Sequence, residues 1–365
     1  MGVNLAEATL NLAIKIQQIP APTFSEGRRA KFIYDQFKAE GLSEVSLDPS
    51  GNIFGCLRGS GSARPLVISA HLDTVFPEGT DLSITRMEDR IKGPGIGDNS
   101  VGLAGLFGLL WGLRKRQIAL PGDVWLVANI CEEGLGDLRG MRLVVDRFGS
   151  QPLAYIVLEG MALGQVYNRG LGVKRFQITI KTAGGHSWVD YGSPSAIHEL
   201  AALANTLASL QLPGEPRTTL NIGRITGGVS VNTIAPEAHL ELDLRSESAQ
   251  ELEQLASQVE SLAVGAKKPG VEVSVKVIGN RPAGEISNED PLVCLAVKCL
   301  EDLNLRPRLN IGSTDANVPL SRGLPSICVG LTVGAGAHTL TEYIYIRPLT
   351  IGLNQLVNLV EQLYL

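Results

Sequence analysis

No Cys-x-x-Cys pair occurs in this chain. Its five cysteines, Cys56, Cys131, Cys294, Cys299 and Cys328, are odd in number and scattered. That argues against a disulfide framework and for reduced thiols in a cytoplasmic protein. Charge of one sign is also missing. A formal net charge of -5 and the absence of any long basic block give no electrostatic reason to expect nucleic acid. The short RKR run at 114–116 reads as the cationic end of a helix. No stretch of ~18 apolar residues offers a membrane span. The N-terminal MGVNLAEA lacks the basic start and apolar run of a signal peptide, and Ala6 stands where a myristoylation signal after Gly2 has Ser or Thr. There is no G-x-x-x-x-G-K-[ST], no G-x-G-x-x-G behind a strand, no internal repeat and no low-complexity segment. The expectation is a cytoplasmic protein without nucleic-acid or membrane partners.

What is present is a globular balance, with 44% hydrophobic and 19% charged residues. At 365 residues the chain is too long for one ordinary core, so two domains are expected. Helical spacing covers 4–18 and 26–40, with Thr23 or Ser25 as the cap of the second helix. Short strands follow near 44–48 and 52–57. The apolar run at 65–70 is a buried strand that ends at His71, and Asp73 projects to the same side two residues on. An imidazole that binds a metal usually has its other nitrogen held by a carboxylate, which suits His71 and Asp73. The loop GPGIGDN at 93–99 turns on its glycines into a helix over 101–115. There Asp98 or Asn99 can cap the helix, and Asp98 can also be a ligand. A second buried strand, 123–130, ends in Cys131, Glu132 and Glu133. A third, 154–158, ends in Glu159. A fourth, 325–331, leads to GAGAH at 334–338.

His71, Glu132, Glu133, Glu159 and His338 therefore follow the C-terminal ends of Val- and Ile-rich strands. In open α/β sheets that edge binds ligands. Between 171 and 282 the pattern changes to alternating strands and two helices in the order β-α-β-β-α-β. The fold expected is α/β: a mixed, mostly parallel catalytic sheet flanked by helices, interrupted by an α+β, ferredoxin-like insertion. Imidazoles with carboxylates form a nitrogen and oxygen ligand set suited to zinc, manganese or cobalt. A carboxylate shared by two ions makes a centre able to polarise a carbonyl, and a free carboxylate beside it can move a proton.

The ordered set His71-x-Asp73, Asp98, Glu132-Glu133, Glu159 and His338, with the insertion before His338, resembles the zinc-dependent exopeptidases and deacylases. That family includes glutamate carboxypeptidase, peptidase T, acetylornithine deacetylase, succinyl-diaminopimelate desuccinylase and aminoacylase. The resemblance covers essentially the whole chain. It implies two divalent metal ions, zinc before manganese or cobalt, with His71, Asp98 and Glu159 on one and Asp98, Glu133 and His338 on the other. Glu132 would be the general base and Asp73 the residue that orients His71. AGGHS at 183–187 looks like the family's lid histidine motif, which makes His186 an oxyanion donor, often to the partner subunit of a dimer. GGVSVNTIAP at 227–236 resembles the substrate-contacting lid segment and singles out Asn232. Arg245, at the end of an alternating strand, is either a clamp for a substrate carboxylate or half of a surface salt bridge. Residues 1–170 and 283–365 would form the catalytic domain, and 171–282 a lid through which a homodimer forms.

Asn99 departs from the many relatives that carry a second acidic residue there. Glu159 points to the carboxypeptidase and deacylase side, whereas EEGLGDLRG at 132–140 looks more like peptidase T. The reading is a two-metal hydrolase that cleaves an amide bond in small peptides. The alternatives are a deacylase of N-acyl amino acids and a non-catalytic scaffold on the same fold. A cysteine hydrolase acting through Cys131 is a further rival.

Overall fold

Four runs rich in Val, Ile, Leu and Ala form almost wholly buried strands: Leu66–His71, Val124–Asn129, Ala154–Glu159 and Ser326–Gly330. They run parallel in the spatial order Val124–Asn129, Leu66–His71, Ala154–Glu159, Ser326–Gly330. Continuous apolar runs are what parallel strands covered on both faces require. The computed structural model describes residues 4–365, so Gly2, and with it the acylation signal weighed above, lies outside them. Among the described residues the four strands are the centre of a nine-stranded sheet. Ile53–Leu57 and Ser43–Leu47 extend one side as an antiparallel pair. Gln165–Gly170 extends the other side antiparallel to Ser326–Gly330, with Arg308–Gly312 parallel beside it.

The chain leaves Leu66–His71 towards one side of the sheet and returns on the other, so the strand order switches at His71. A switch point opens a crevice beyond the C-terminal strand ends. Alternation along each strand serves two cores. Leu66, Ile68 and Ala70 share a core with the helices Leu5–Gln17, Val101–Lys115 and Pro348–Gln362. Val67, with Val127, Tyr155 and Val157, packs beneath Met141, Val144 and Val145 of the helix Arg139–Phe148.

Three expectations need correction. The helix Gly27–Ala39 starts from Glu26 with no side-chain cap bond, because the Thr23 hydroxyl donates to Asp73 instead. The helix Val101–Lys115 starts from Ser100, and neither Asp98 nor Asn99 caps it. The segment Ile96–Lys115, 20 residues of mean hydropathy 1.2, does reach the length and composition of a membrane span. Small residues interrupt its apolar run and hide it in the sequence. Of its most apolar window 89% is buried inside the protein, so its apolar surface is a core surface.

The chain divides into two compact units. One holds the residues up to Gly170 together with Glu285–Leu365, and the other is Leu171–Gly284. In the second unit Gly172–Lys181, Ala196–Ala208, Thr218–Gly227, Glu237–Ser246, Ala249–Gly265 and Glu272–Arg281 follow one another as β-α-β-β-α-β. Its antiparallel sheet has the order Thr218–Gly227, Glu237–Ser246, Gly172–Lys181, Glu272–Arg281. Ala238, Leu240, Leu242 and Leu244 alternate inward against Leu200, Leu203, Leu252 and Leu255 of the two helices. A short ribbon pairs Gly185–His186 with Thr233–Ile234.

Candidate metal centre

His71 is the last residue of its strand and is buried. Its Nδ1 lies 3.1 Å from the backbone carbonyl oxygen of Asp73, which can only accept, so Nδ1–H donates there and Nε2 faces the crevice. Nε2 stands 3.2 Å from Asp98 Oδ1 and 3.9 Å from Glu159 Oε2. His338 Nε2 stands 3.0 Å from Asp98 Oδ2 and 3.2 Å from Glu133 Oε1. The two oxygens of Asp98 thus each face a different imidazole. One ligand atom from each of His71, Asp98 and Glu133 lies within 4.8 Å of the others.

The donor set fits divalent cations on two counts. Glu133 Oε1 is buried and accepts no hydrogen bond: His338 Nε2 is within ion-pair distance but not aligned. An acceptor in that position needs a cation or pays desolvation for nothing. Carboxylates are also crowded together. Burial raises Glu159 well above the usual carboxylate range; His71 opposes this, and the charges of Asp98, Glu132 and Asp315 add to it. Burial raises Glu133 as well, against the pull of His338. Asp98 goes the other way: burial is outweighed by hydrogen bonds from His338 and His71, which hold it well below the usual range. His338 is pushed up to about 10 by Asp98 and Glu133. Such opposed shifts in one crevice mark a site built to hold compensating positive charge.

Asp73 does more than was expected of it. Its carbonyl, not its carboxylate, bonds His71 Nδ1; the nearer carboxylate oxygen is 3.6 Å away. The carboxylate accepts the backbone N–H of Glu132 on Oδ1 and of Glu133 on Oδ2, both at 2.9 Å, and the Thr23 hydroxyl at 2.9 Å. Glu26 Oε1 accepts the N–H of Cys131 at 3.2 Å. Three successive amides therefore end on two buried carboxylates, and Cys131 sits between them at φ +57. This fixes the backbone from which Glu132 and Glu133 diverge. Burial, then Glu26 and Asp73, push the Cys131 thiol up to about 12. At that value it is a protonated donor to Glu26 rather than a nucleophile.

Sequence reasoning missed the supporting residues. Asn99 is fully buried, and its amide donates 2.8 Å to the carbonyl of Leu158, beside Glu159. A carboxylate could not make that bond. Asn129 donates 2.7 Å to Asp315, and both are fully buried. Glu342 accepts backbone amides from the Asp98 loop. Only the proximity of Glu342 to His338 in sequence hinted at its place.

The other three candidates lie in the second unit. Ser187 N–H donates 3.0 Å to the Asn232 carbonyl, so His186 and Asn232 are on neighbouring segments. His186 Nδ1 accepts the N–H of Trp188 at 3.2 Å and of Val189 at 3.4 Å. Arg245 does not join them. Register places it opposite Val173, whereas Lys181, five residues before His186, lies opposite Glu237. Eight residues of strand separate the two ends, about 27 Å. The guanidinium instead pairs with Asp243 at 2.7 Å, the surface salt bridge left open above.

A family model described as peptidase family M20/M25/M40 matches residues 67–362. The chain belongs to this family. It is a metallohydrolase of the M20 type. Among solved structures it is similar to a tripeptidase from Staphylococcus aureus, with a TM-score of 0.83, 21% identity and 98% of each chain covered. It is also similar to the aminopeptidase PepT from Bacillus cereus, with a TM-score of 0.80, 22% identity and 98% of each chain covered. At such identities the likeness is one of fold. A succinyl-diaminopimelate desuccinylase of Corynebacterium glutamicum is 26% identical over 284 residues, 75% of this chain and 76% of that protein.

Proposed function

We propose that this M20 hydrolase cleaves an amide bond of a small peptide at two divalent metal ions, most fittingly zinc. The observation that carries this is Asp98, whose two oxygens face the imidazoles of His71 and His338. His71, Asp98 and Glu159 would hold one ion, and Asp98, Glu133 and His338 the other. When bound, such a pair supplies Lewis acidity towards a carbonyl and lowers the pKa of water. Glu132, on the backbone that Asp73 clamps, takes the proton of the attacking water and returns it to the leaving nitrogen. His186 uses Nδ1 as an acceptor, so a neutral ring carries its proton on Nε2 and can donate to a developing oxyanion. Asn232 beside it is the candidate for holding the substrate. Arg245, tied to Asp243, is not assigned to the substrate.

The solved tripeptidase and aminopeptidase of like fold favour a peptide, while the desuccinylase relative supports an N-acyl amino acid as the second reading. A homodimer through the second unit is part of the proposal. Trp188, Tyr191, Val229 and Val231 are 84%, 90%, 82% and 104% exposed there, more apolar surface than a solitary loop cluster gains by showing to water. Five free cysteines, four of them buried, suit the cytoplasm. The test is a panel of di- and tripeptides with N-acetyl, N-succinyl and N-carbamoyl amino acids, assayed with zinc, manganese or cobalt. Turnover of peptides supports the first reading, turnover of acyl amino acids alone moves the protein to the second, and no turnover by metal-loaded protein contradicts both.

A further inference from the structure

We propose that Glu342 is a positioning residue that holds the Asp98 loop in its ligating shape and ties it to the loop that carries His338. This rests on the reading of Asp98 as the shared metal ligand. Glu342 is fully buried. Its Oε2 accepts the N–H of Gly95 at 2.9 Å; its Oε1 accepts those of Gly97 at 2.6 Å and Asp98 at 2.8 Å. Its own carbonyl accepts the N–H of Gly93 at 2.9 Å. The loop needs such a partner. Gly95 is left-handed at φ +73, and Asp98 is non-helical at φ -111 and ψ 91, so no helix or strand ladder satisfies these amides. A single carboxylate replaces that ladder.

Glu342 also lies four residues after His338, at the end of a tight turn in which Thr339 N–H donates to the Gly336 carbonyl and Glu342 N–H to the Thr339 carbonyl. His338 and Asp98 face one another at 3.0 Å. The two loops are therefore joined twice, once through ligands and once through this carboxylate. Groups that orient ligands typically change metal affinity or activity 10- to 100-fold when lost. Glutamine is the informative replacement. It has nearly the same shape, but one acceptor oxygen becomes an NH2 that opposes the loop amides.

Two measurements test the proposal, the first without metal. In chelator-treated wild type, hydrogen–deuterium exchange at Gly95, Gly97 and Asp98 should be slow, and in Glu342→Gln it should be at least tenfold faster with the melting curve still cooperative. Metal titration should then show affinity for zinc or cobalt lowered about 10- to 100-fold, kcat lowered similarly and KM within about twofold. Glu342→Asp, which keeps the charge one methylene short, should fall between the two, and it replaces the glutamine variant if that fails to fold. Fast exchange of these amides in wild type overturns the clamp whatever the variants do. So does a folded variant with wild-type exchange and wild-type metal affinity. Slow exchange in a wild type that binds no divalent metal would leave the clamp standing and remove the metal reading of Asp98.

Discussion

Asp98 is the residue on which the centre converges, and its neighbours divide its work. If Glu132 carries the proton as proposed, Glu132→Gln keeps its shape but not that function, so kcat should fall about 10²- to 10⁴-fold with metal content and thermal stability unchanged. A wild-type kcat would remove Glu132 from the chemistry. Asn99→Asp replaces a buried amide donor with a charge against the Leu158 carbonyl, and should cost about 3 kcal/mol in a urea titration. If His338 is a ligand as proposed, proton and metal compete for its Nε2. Its pKa is raised from 6.5 to about 10 in the metal-stripped protein. The proton-linked stabilisation is thus full below the ordinary histidine value and is lost as pH rises through about 10. Metal must displace that proton, so apparent affinity should rise between about pH 6 and about pH 9, with proton release visible by calorimetry in buffers of different ionisation heat. Affinity independent of pH would take His338 out of the ligand set.

Among the helices and strands, the sequence was most legible where one force dominated. Buried parallel strands announce themselves as Val and Ile runs, so the ends that present His71, Glu132 and Glu159 could be read directly. The helix Arg139–Phe148 could not, because charge and glycine at its start mask a narrow apolar face of Met141, Val144, Val145 and Phe148. The strand Arg308–Gly312 was missed for the opposite reason: it is an exposed edge with no apolar run. Polar supports such as Glu26 and Glu342 were hard to single out because a carboxylate reads as surface until its amides are located. Arg245 shows the converse case, since strand position alone left clamp and salt bridge open and could not reveal Asp243 beside it. Close approach between elements also leaves no sequence mark. A Cβ on Gly352 of the helix Pro348–Gln362 would stand 1.9 Å from the Leu331 carbonyl oxygen. Gly352→Ala should therefore cost about 3 kcal/mol by displacing that helix, and a wild-type denaturation midpoint would contradict the packing described.

For the whole molecule, the exposed Trp188, Tyr191, Val229 and Val231 predict self-association through the second unit. Trp188→Glu should shift light scattering from dimer towards monomer at micromolar concentration, whereas a fully active wild-type monomer would remove both the dimer and any cross-subunit use of His186. A metal-dependent amide hydrolase must lose its activity on chelation. Turnover of the peptide panel should vanish on metal removal, return on adding zinc, manganese or cobalt, and be indifferent to alkylation of exposed Cys294. Turnover that survives complete chelation but is lost on thiol alkylation would show that the metal centre does not do the chemistry.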